Sequence, residues 1–137
     1  MLIATMLSDA VLRDMLDRAW EHGLFVLLEA FDTDDLRRAS ALLENPIDHD
    51  KAEAGQLLIG VNTRNLRTLD VDRDRLQKLA AHLPQATCVA ESGLAVADDA
   101  ARVAALGYRM ALVGTALMRS KDPAELIMAM RVAGAAA

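Results

Sequence analysis

Aromatic residues are scarce in this chain: one tryptophan, one tyrosine and two phenylalanines among 137 residues. The apolar content is therefore mostly Ala, Leu, Val, Met and Ile, which suits helices layered on a sheet. Cysteine is scarcer still. The single thiol, Cys88, lies in the apolar run ATCVA and reads as a buried core residue. One cysteine excludes an internal disulfide and a cysteine-based metal cage, and it fits a reducing, cytoplasmic compartment. No basic stretch is present to neutralise phosphate backbones and the net charge is −5, so nucleic acid is not expected as a partner. No apolar run approaches the ~18 residues of a membrane span, so no membrane is expected either. The opening MLIATML is short, lacks a basic lead and runs straight into a helical pattern, so it is not expected to be a signal peptide. His22 and His82 fall near predicted helix ends, where a cation is favoured, and His49 lies in a polar stretch. The histidines share no metal-binding spacing, so neither a metal nor another cofactor is expected.

What the chain does have is a regular alternation of short apolar runs and amphipathic segments. One domain, 1–137, is expected at this length, able to bury roughly two thirds of its unfolded surface. Strands are predicted at Met1–Met6, Leu24–Glu29, Leu57–Val61, Thr87–Ala90 and Met110–Val113. Ser8 caps a first helix that runs to about Glu21 and ends at Gly23, with Val11, Leu12, Met15, Leu16, Ala19 and Trp20 on one stripe. A second helix starts at Asp32 or Thr33, carries Leu36, Ala39 and Leu43, and stops before Asn45-Pro46. IDHDKAEAG then reads as a polar loop. Further helices are predicted from about Asp72 to Leu83, from about Val96 to Gly107, and from Asp122-Pro123-Ala124-Glu125 onward, a capping pattern with Pro at the first helical position. Strands that are apolar throughout are covered on both faces, and strict alternation of strand and helix implies right-handed crossovers and a parallel sheet. The expected fold class is α/β, about five parallel βα repeats.

In such folds ligands lie at the carboxyl ends of the strands. The second strand ends in Glu29, a carboxylate partly removed from water by FVLL and so suited to proton transfer; taken alone it also fits a structural carboxylate paired with a neighbouring arginine, or simply a solvated strand terminus. The third ends in Asn62, Arg64 and Asn65, able to hold a carboxylate or hydroxyls. The same three residues also fit a turn in which the amides bond their own backbone and Arg64 faces water. The fourth strand gives Glu91, Ser92 and Gly93; the fifth gives Gly114 and Thr115. Ser92-Gly93 and Gly114-Thr115 share one form, small residues after a strand, where backbone N–H groups can approach a phosphate and Thr115-Ala116-Leu117-Met118 can open a short helix. Tight strand–helix turns would also explain both glycines.

Taken together these segments resemble the indole-3-glycerol-phosphate synthase family. IGVNTRNLRTLDVD is similar to that family's IGINNRNL(R/K)TFEVD, VLLEAFD to VLVEVHD, VAESGL to VSESGI, and ALVGTALMRSKDP to VGEALMR…DP. The likeness covers nearly the whole chain except a longer stretch around Asn45–Gly55. It implies a partial (β/α)8 TIM barrel, about strands 4 to 8. It also implies a carbon–carbon lyase chemistry of tryptophan biosynthesis: ring closure of 1-(2-carboxyphenylamino)-1-deoxyribulose 5-phosphate with loss of carbon dioxide and water. By the same resemblance Glu29 transfers a proton, Asn62 bonds the substrate near its reacting centre and Arg64 sits near the anthranilate carboxylate. Glu91 and Ser92 line the floor, and Ser92, Gly93, Gly114 and Thr115 cradle the phosphate. Thr115 stands where the family often has Ser or Glu, and Phe31-Asp32 replaces His-Asp.

The resemblance also implies what is missing. The family's strand-1 Glu and Lys, its Ser-Pro-Ser loop and its strand-3 general-acid lysine have no counterpart; Lys51, Lys78 and Lys121 all fall in loop or helix contexts. Two outcomes are open. The chain is either the carboxyl part of a synthase, inactive alone, or a half-barrel that binds phosphate or assembles with itself or with an N-terminal piece. A cut barrel exposes two strand edges and an inner face, so an oligomer or poor solubility is expected. The pathway's neighbouring isomerase, with its Cys/Asp pair, fits less well, because Cys88 lies within a strand.

Overall fold

The computed structural model describes residues 1–64, 70–72 and 74–137. Its five strands belong to one parallel sheet whose order, β1-β2-β3-β4-β5, is the order of the chain. The chain divides into two compact units, Met1–Val61 with His82–Cys88, and Asn62–Ala81 with Val89–Ala137.

In the first unit β1 (Leu2–Ile3) pairs with β2 (Val26–Ala30), and β2 pairs along its length with β3 (Leu57–Asn62), Val26 opposite Leu57 and Ala30 opposite Val61. β2 is buried at every position, as an apolar run covered on both faces should be. Helix α1 (Asp9–Glu21) is capped by Ser8 and packs Leu12, Leu16 and Ala19 inward, while Val11 and Met15 on the same apolar stripe stay exposed. Gly23, at φ +64, ends it, and the Leu24 N–H returns to the Ala19 carbonyl. Asp32 caps α2 (Thr33–Leu42) by accepting the Asp35 N–H at 2.9 Å.

Two expectations are corrected here. The first strand is two residues long, because the chain turns into a 3-10 helix over Ala4–Met6. The stretch read as a polar loop is a helix, α3 (Pro46–Glu53). Its start is encoded locally, with the Asn45 side chain accepting the Ile47 N–H and proline at the first helical turn. Its inward face is polar: Asp48 is fully buried, bonded by both terminal nitrogens of Arg13 and by the Trp20 indole N–H at 3.0 Å. That is why no apolar period announced it.

The second unit contains α4 (Arg75–Leu79), β4 (Cys88–Glu91) from Val89 onward, α5 (Ala97–Ala105), β5 (Met110–Leu112), α6 (Thr115–Arg119) and α7 (Pro123–Ala135). Leu76, Val89, Leu94, Val103 and Tyr108 form its core. The buried Tyr108 hydroxyl donates to the Leu76 carbonyl at 3.0 Å. α7 lies on α5, and Gly134 comes so close that an added Cβ would sit 3.7 Å from the Ala100 carbonyl oxygen. β5 departs from the expectation of a strand covered on both faces. Met110, Ala111 and Leu112 are all exposed, because β5 ends the strand order and α7 spends its packing on α5.

Candidate active site

In the first unit the carboxyl end of β2 carries Glu29, 3% exposed and in register with Gly60 of β3 and Ile3 of β1. The loop just beyond it is fixed by Asp35. That buried carboxylate accepts the Phe31 N–H at 3.0 Å and the Thr5 hydroxyl, and lies 3.7 Å from Arg38. Arg38 in turn donates to the carbonyls of Ala4 and Leu7, both at 2.7 Å, and to Asp9 at 2.8 Å. Asp35 and Arg38 therefore hold the loops after β1 and β2 in fixed positions beside Glu29. Both sit in the second predicted helix, and their partners, about thirty residues away, are invisible to local patterning.

The second unit carries the residues at the carboxyl ends of β3, β4 and β5. Asn62, last residue of β3, is 7% exposed, and its side-chain oxygen accepts the Arg64 N–H at 2.8 Å. This is the backbone-bonding turn that the sequence allowed. Arg64 is half-buried and forms an antiparallel bridge with Val71, and the Asp72 N–H bonds the Thr63 carbonyl at 3.0 Å. Asn65, the third polar residue of that expectation, lies outside the described residues. Between the two stands Thr63, which sequence reasoning passed over. It is fully buried and gives both its N–H, at 3.1 Å, and its hydroxyl, at 3.2 Å, to the Glu91 carbonyl. Thr63 thereby ties Asn62 and Arg64 to the end of β4. The only signal for it was a small hydroxyl residue at a strand end.

Glu91 closes β4 and is 3% exposed. After it, Ser92 (φ +66) and Gly93 (φ +80) are successive left-handed residues. Consecutive residues of this kind bend the chain sharply away from the strand, and for a serine the conformation costs about 1 kcal/mol or more. The chain re-enters a helix through Asp99, which accepts the N–H groups of Ala95 and Val96 at 2.8 and 3.2 Å. Gly114 precedes α6, whose first residue is the exposed Thr115. Among the described residues, chain neighbours aside, no atom stands within 4 Å of where a Gly114 side chain would begin.

Cys88 is buried at the start of β4, its S–H directed at the Pro84 carbonyl at 3.7 Å, and burial pushes the thiol up to about 11. It is the core thiol expected, and His22, His49 and His82 are exposed. Lys51 lies 5.5 Å from the Trp20 ring and Lys78 pairs with Asp72. Among the described residues no cluster of three or more His, Cys, Asp or Glu could hold a metal ion, and no helix is long and apolar enough to cross a membrane.

Parallel strands in chain order, alternating with helices, define a segment of a parallel (β/α) barrel. The family is narrower than that class. The family model for indole-3-glycerol phosphate synthase matches residues 1–130, and the chain belongs to that family. The indole-3-glycerol phosphate synthase of Arthrobacter sp. (strain FB24) is 39% identical over 138 aligned residues, taking in 100% of this chain and 46% of the relative. That of Azospirillum brasilense is 43% identical over 123 residues, 89% of this chain and 42% of the relative. The chain thus spans less than half the length of the curated relatives it matches. Among solved structures, the crystal structure of the Amycolatopsis orientalis BexX/CysO complex aligns with a TM-score of 0.58 at 24% identity, covering 87% of this chain and 45% of that one. That likeness speaks to the fold alone.

Proposed function

We propose that the chain supplies the carboxyl part of an indole-3-glycerol-phosphate synthase site, in which a phosphorylated carboxyphenylamino-deoxyribulose closes to an indole with loss of carbon dioxide and water. The observation that carries this reading is the family match over residues 1–130, joined to buried polar groups at three strand carboxyl ends, Glu29, Asn62 and Glu91. In this reading Glu29 moves a proton at the reacting carbon atoms, and a carboxylate removed from water suits that task. Asn62, with its oxygen engaged by the Arg64 N–H, serves as a hydrogen-bond donor near the same centre. Arg64 binds the substrate carboxylate, which its planar fork matches. Glu91 and Ser92 line the floor. Ser92, Gly93, Gly114 and Thr115 hold the phosphate, the glycines letting backbone N–H groups approach it. The protein works in the cytoplasm without metal or cofactor.

The general-acid lysine of this chemistry comes from another segment, since Lys51, Lys78 and Lys121 stand at none of the strand ends. Proton transfer and positioning need several strands at once, so the chain acts with an N-terminal half-barrel partner that carries the lysine; a homo-oligomer of this sequence is the alternative assembly and would bind without that acid. The test is indole-glycerol phosphate formation by the chain alone, and then by the chain mixed with a separately expressed N-terminal fragment of the Arthrobacter relative. Activity only on mixing is the expected result. Activity of the chain alone would overturn the missing-acid argument. Inactivity in both arms, with inorganic phosphate still bound, would make the chain a binding module instead.

A further inference from the structure

Glu29 stands at the last pair of the β1–β2 ladder, with Ile3 of β1 on one side and Gly60 of β3 on the other. Paired residues of neighbouring strands present their side chains to the same face of the sheet. Glu29 is therefore flanked by one side chain, Ile3, and by a glycine that offers none. Two residues further on, Thr5 and Phe31 occupy the place of the next pair on that face. The ladder stops short of them, because β1 gives way to the 3-10 helix over Ala4–Met6. A side chain continues the pairing instead. Oδ2 of Asp35 accepts both the Thr5 hydroxyl and the Phe31 N–H, the latter at 3.0 Å.

Helix capping accounts for only part of this arrangement. Asp35 is the third residue of α2, a position from which a carboxylate accepts an N–H just ahead of its own helix, and Phe31 supplies one. Thr5 belongs to a different loop, thirty residues earlier. Arg38, 3.7 Å from the second oxygen of Asp35, donates to the Ala4 and Leu7 carbonyls of that same loop. A buried carboxylate is costly unless its oxygens are bonded. Here the partners that satisfy it come from both loops, so the two loops are joined through it.

We infer that Asp35 is the positioning residue of Glu29: by joining Thr5 to Phe31 it carries the β1–β2 pairing one step past Glu29 and fixes where that carboxylate stands. The catalytic consequence rests on the role proposed above for Glu29, but the placement itself is read in the chain alone. Asp35→Asn keeps an oxygen for both donors, Asp35→Ala keeps none, and Thr5→Val removes only the bond between the loops. In the 137-residue chain with isotope-labelled glutamate carboxyls, the Glu29 resonance is assigned by its loss in Glu29→Gln. It is expected to move in Asp35→Ala and in Thr5→Val and to keep its place in Asp35→Asn. Exchange of the Phe31 amide with solvent is expected to quicken about tenfold or more in Asp35→Ala, and to stay within about threefold in the other two. In the reconstituted synthase Asp35→Ala is expected to lower kcat about tenfold or more with KM within about twofold, and Asp35→Asn to bring kcat back to within about threefold of the parent. Unchanged Trp20 emission shows that each variant is folded; should Asp35→Ala unfold, Thr5→Val carries the same test. A Glu29 resonance that keeps its place in the folded variants lacking the loop bond overturns the inference. So does an Asp35→Asn variant as damaged as Asp35→Ala, or a loss that falls on KM with kcat unchanged. A parent mixture without activity counts against the synthase reading alone, because the carboxyl resonance still decides the placement.

Discussion

Replacing Asp48 by alanine should loosen the first unit far more than its place on a short polar helix suggests. The carboxylate is fully buried and accepts from both Arg13 terminal nitrogens and from the Trp20 indole N–H. Its loss strips Trp20 of its acceptor, about 1 kcal/mol, and removes the partner of a guanidinium. Breaking a fully buried pair costs about 3–5 kcal/mol. Arg13, however, is 31% exposed and retains Asp17 at 2.8 Å, so water and Asp17 recover much of that. The net expectation is about 2.5 kcal/mol, which at a urea slope of about 1.5 kcal/mol per molar lowers the midpoint by about 1.7 M. Trp20 is the only tryptophan, so its fluorescence reports both the transition and the broken bond, the latter as a changed native emission. Asp17→Ala is the control. It removes a carboxylate from the same arginine at an exposed site, and should cost under about 0.5 kcal/mol. A double-mutant cycle of Asp48→Ala with Arg13→Ala should show at least ~1 kcal/mol of coupling. Equal effects of Asp17→Ala and Asp48→Ala, or strict additivity in the cycle, would refute the account of Asp48 as the buried centre of this packing.

Thr63→Val removes one of two bonds to the Glu91 carbonyl and keeps the shape. It should cost about 1 kcal/mol by urea titration, and in a reconstituted synthase it should lower kcat more than it raises KM. Gly114→Ala meets no atom among the described residues beyond its chain neighbours, and as the N-cap of α6 it should cost no more than about 1 kcal/mol. Binding of inorganic phosphate, measured by calorimetry, should weaken severalfold if this turn cradles the anion. Cys88, raised to about 11 by burial, should resist thiol reagents at pH 8 in the folded chain and react readily in denaturant. Because the unfolded thiol ionises first, near its usual 9.0, stability should be intact below that pH and decline as pH rises toward about 11. A thiol that titrates near 9 in the folded chain would contradict the burial.

The βα alternation was legible because β2, β3 and β4 are apolar runs with sharp polar ends, and Leu57–Asn62 breaks off where VNTR turns polar. The strand-end residues were legible for the same reason. Helix α3 was not, because its buried face is Asp48 and Ala52, a pattern with no apolar period. Its Asn45-Pro46 start signal was present but was read as the end of α2. The exposure of β5 was equally hidden: MAL looks the same whether or not a neighbour covers it. The Asp35 and Arg38 anchors and the Thr63 strut depend on partners about thirty residues distant, and side-chain type alone does not announce such pairs. In Asn62 both readings of the sequence meet, since the turn that occupies its oxygen also fixes the orientation of the amide.

The strand order β1-β2-β3-β4-β5 has a bearing on how the chain comes off the ribosome. From β2 onward each strand finds a neighbour in the strand made just before it. Loop closure stays short at each step, and the entropy it costs is small. The sheet can grow one βα repeat at a time, each new helix shielding the strand already laid down. β5 and α7 thus add to repeats already made, and the apolar side chains of each late repeat meet a folded body as they emerge.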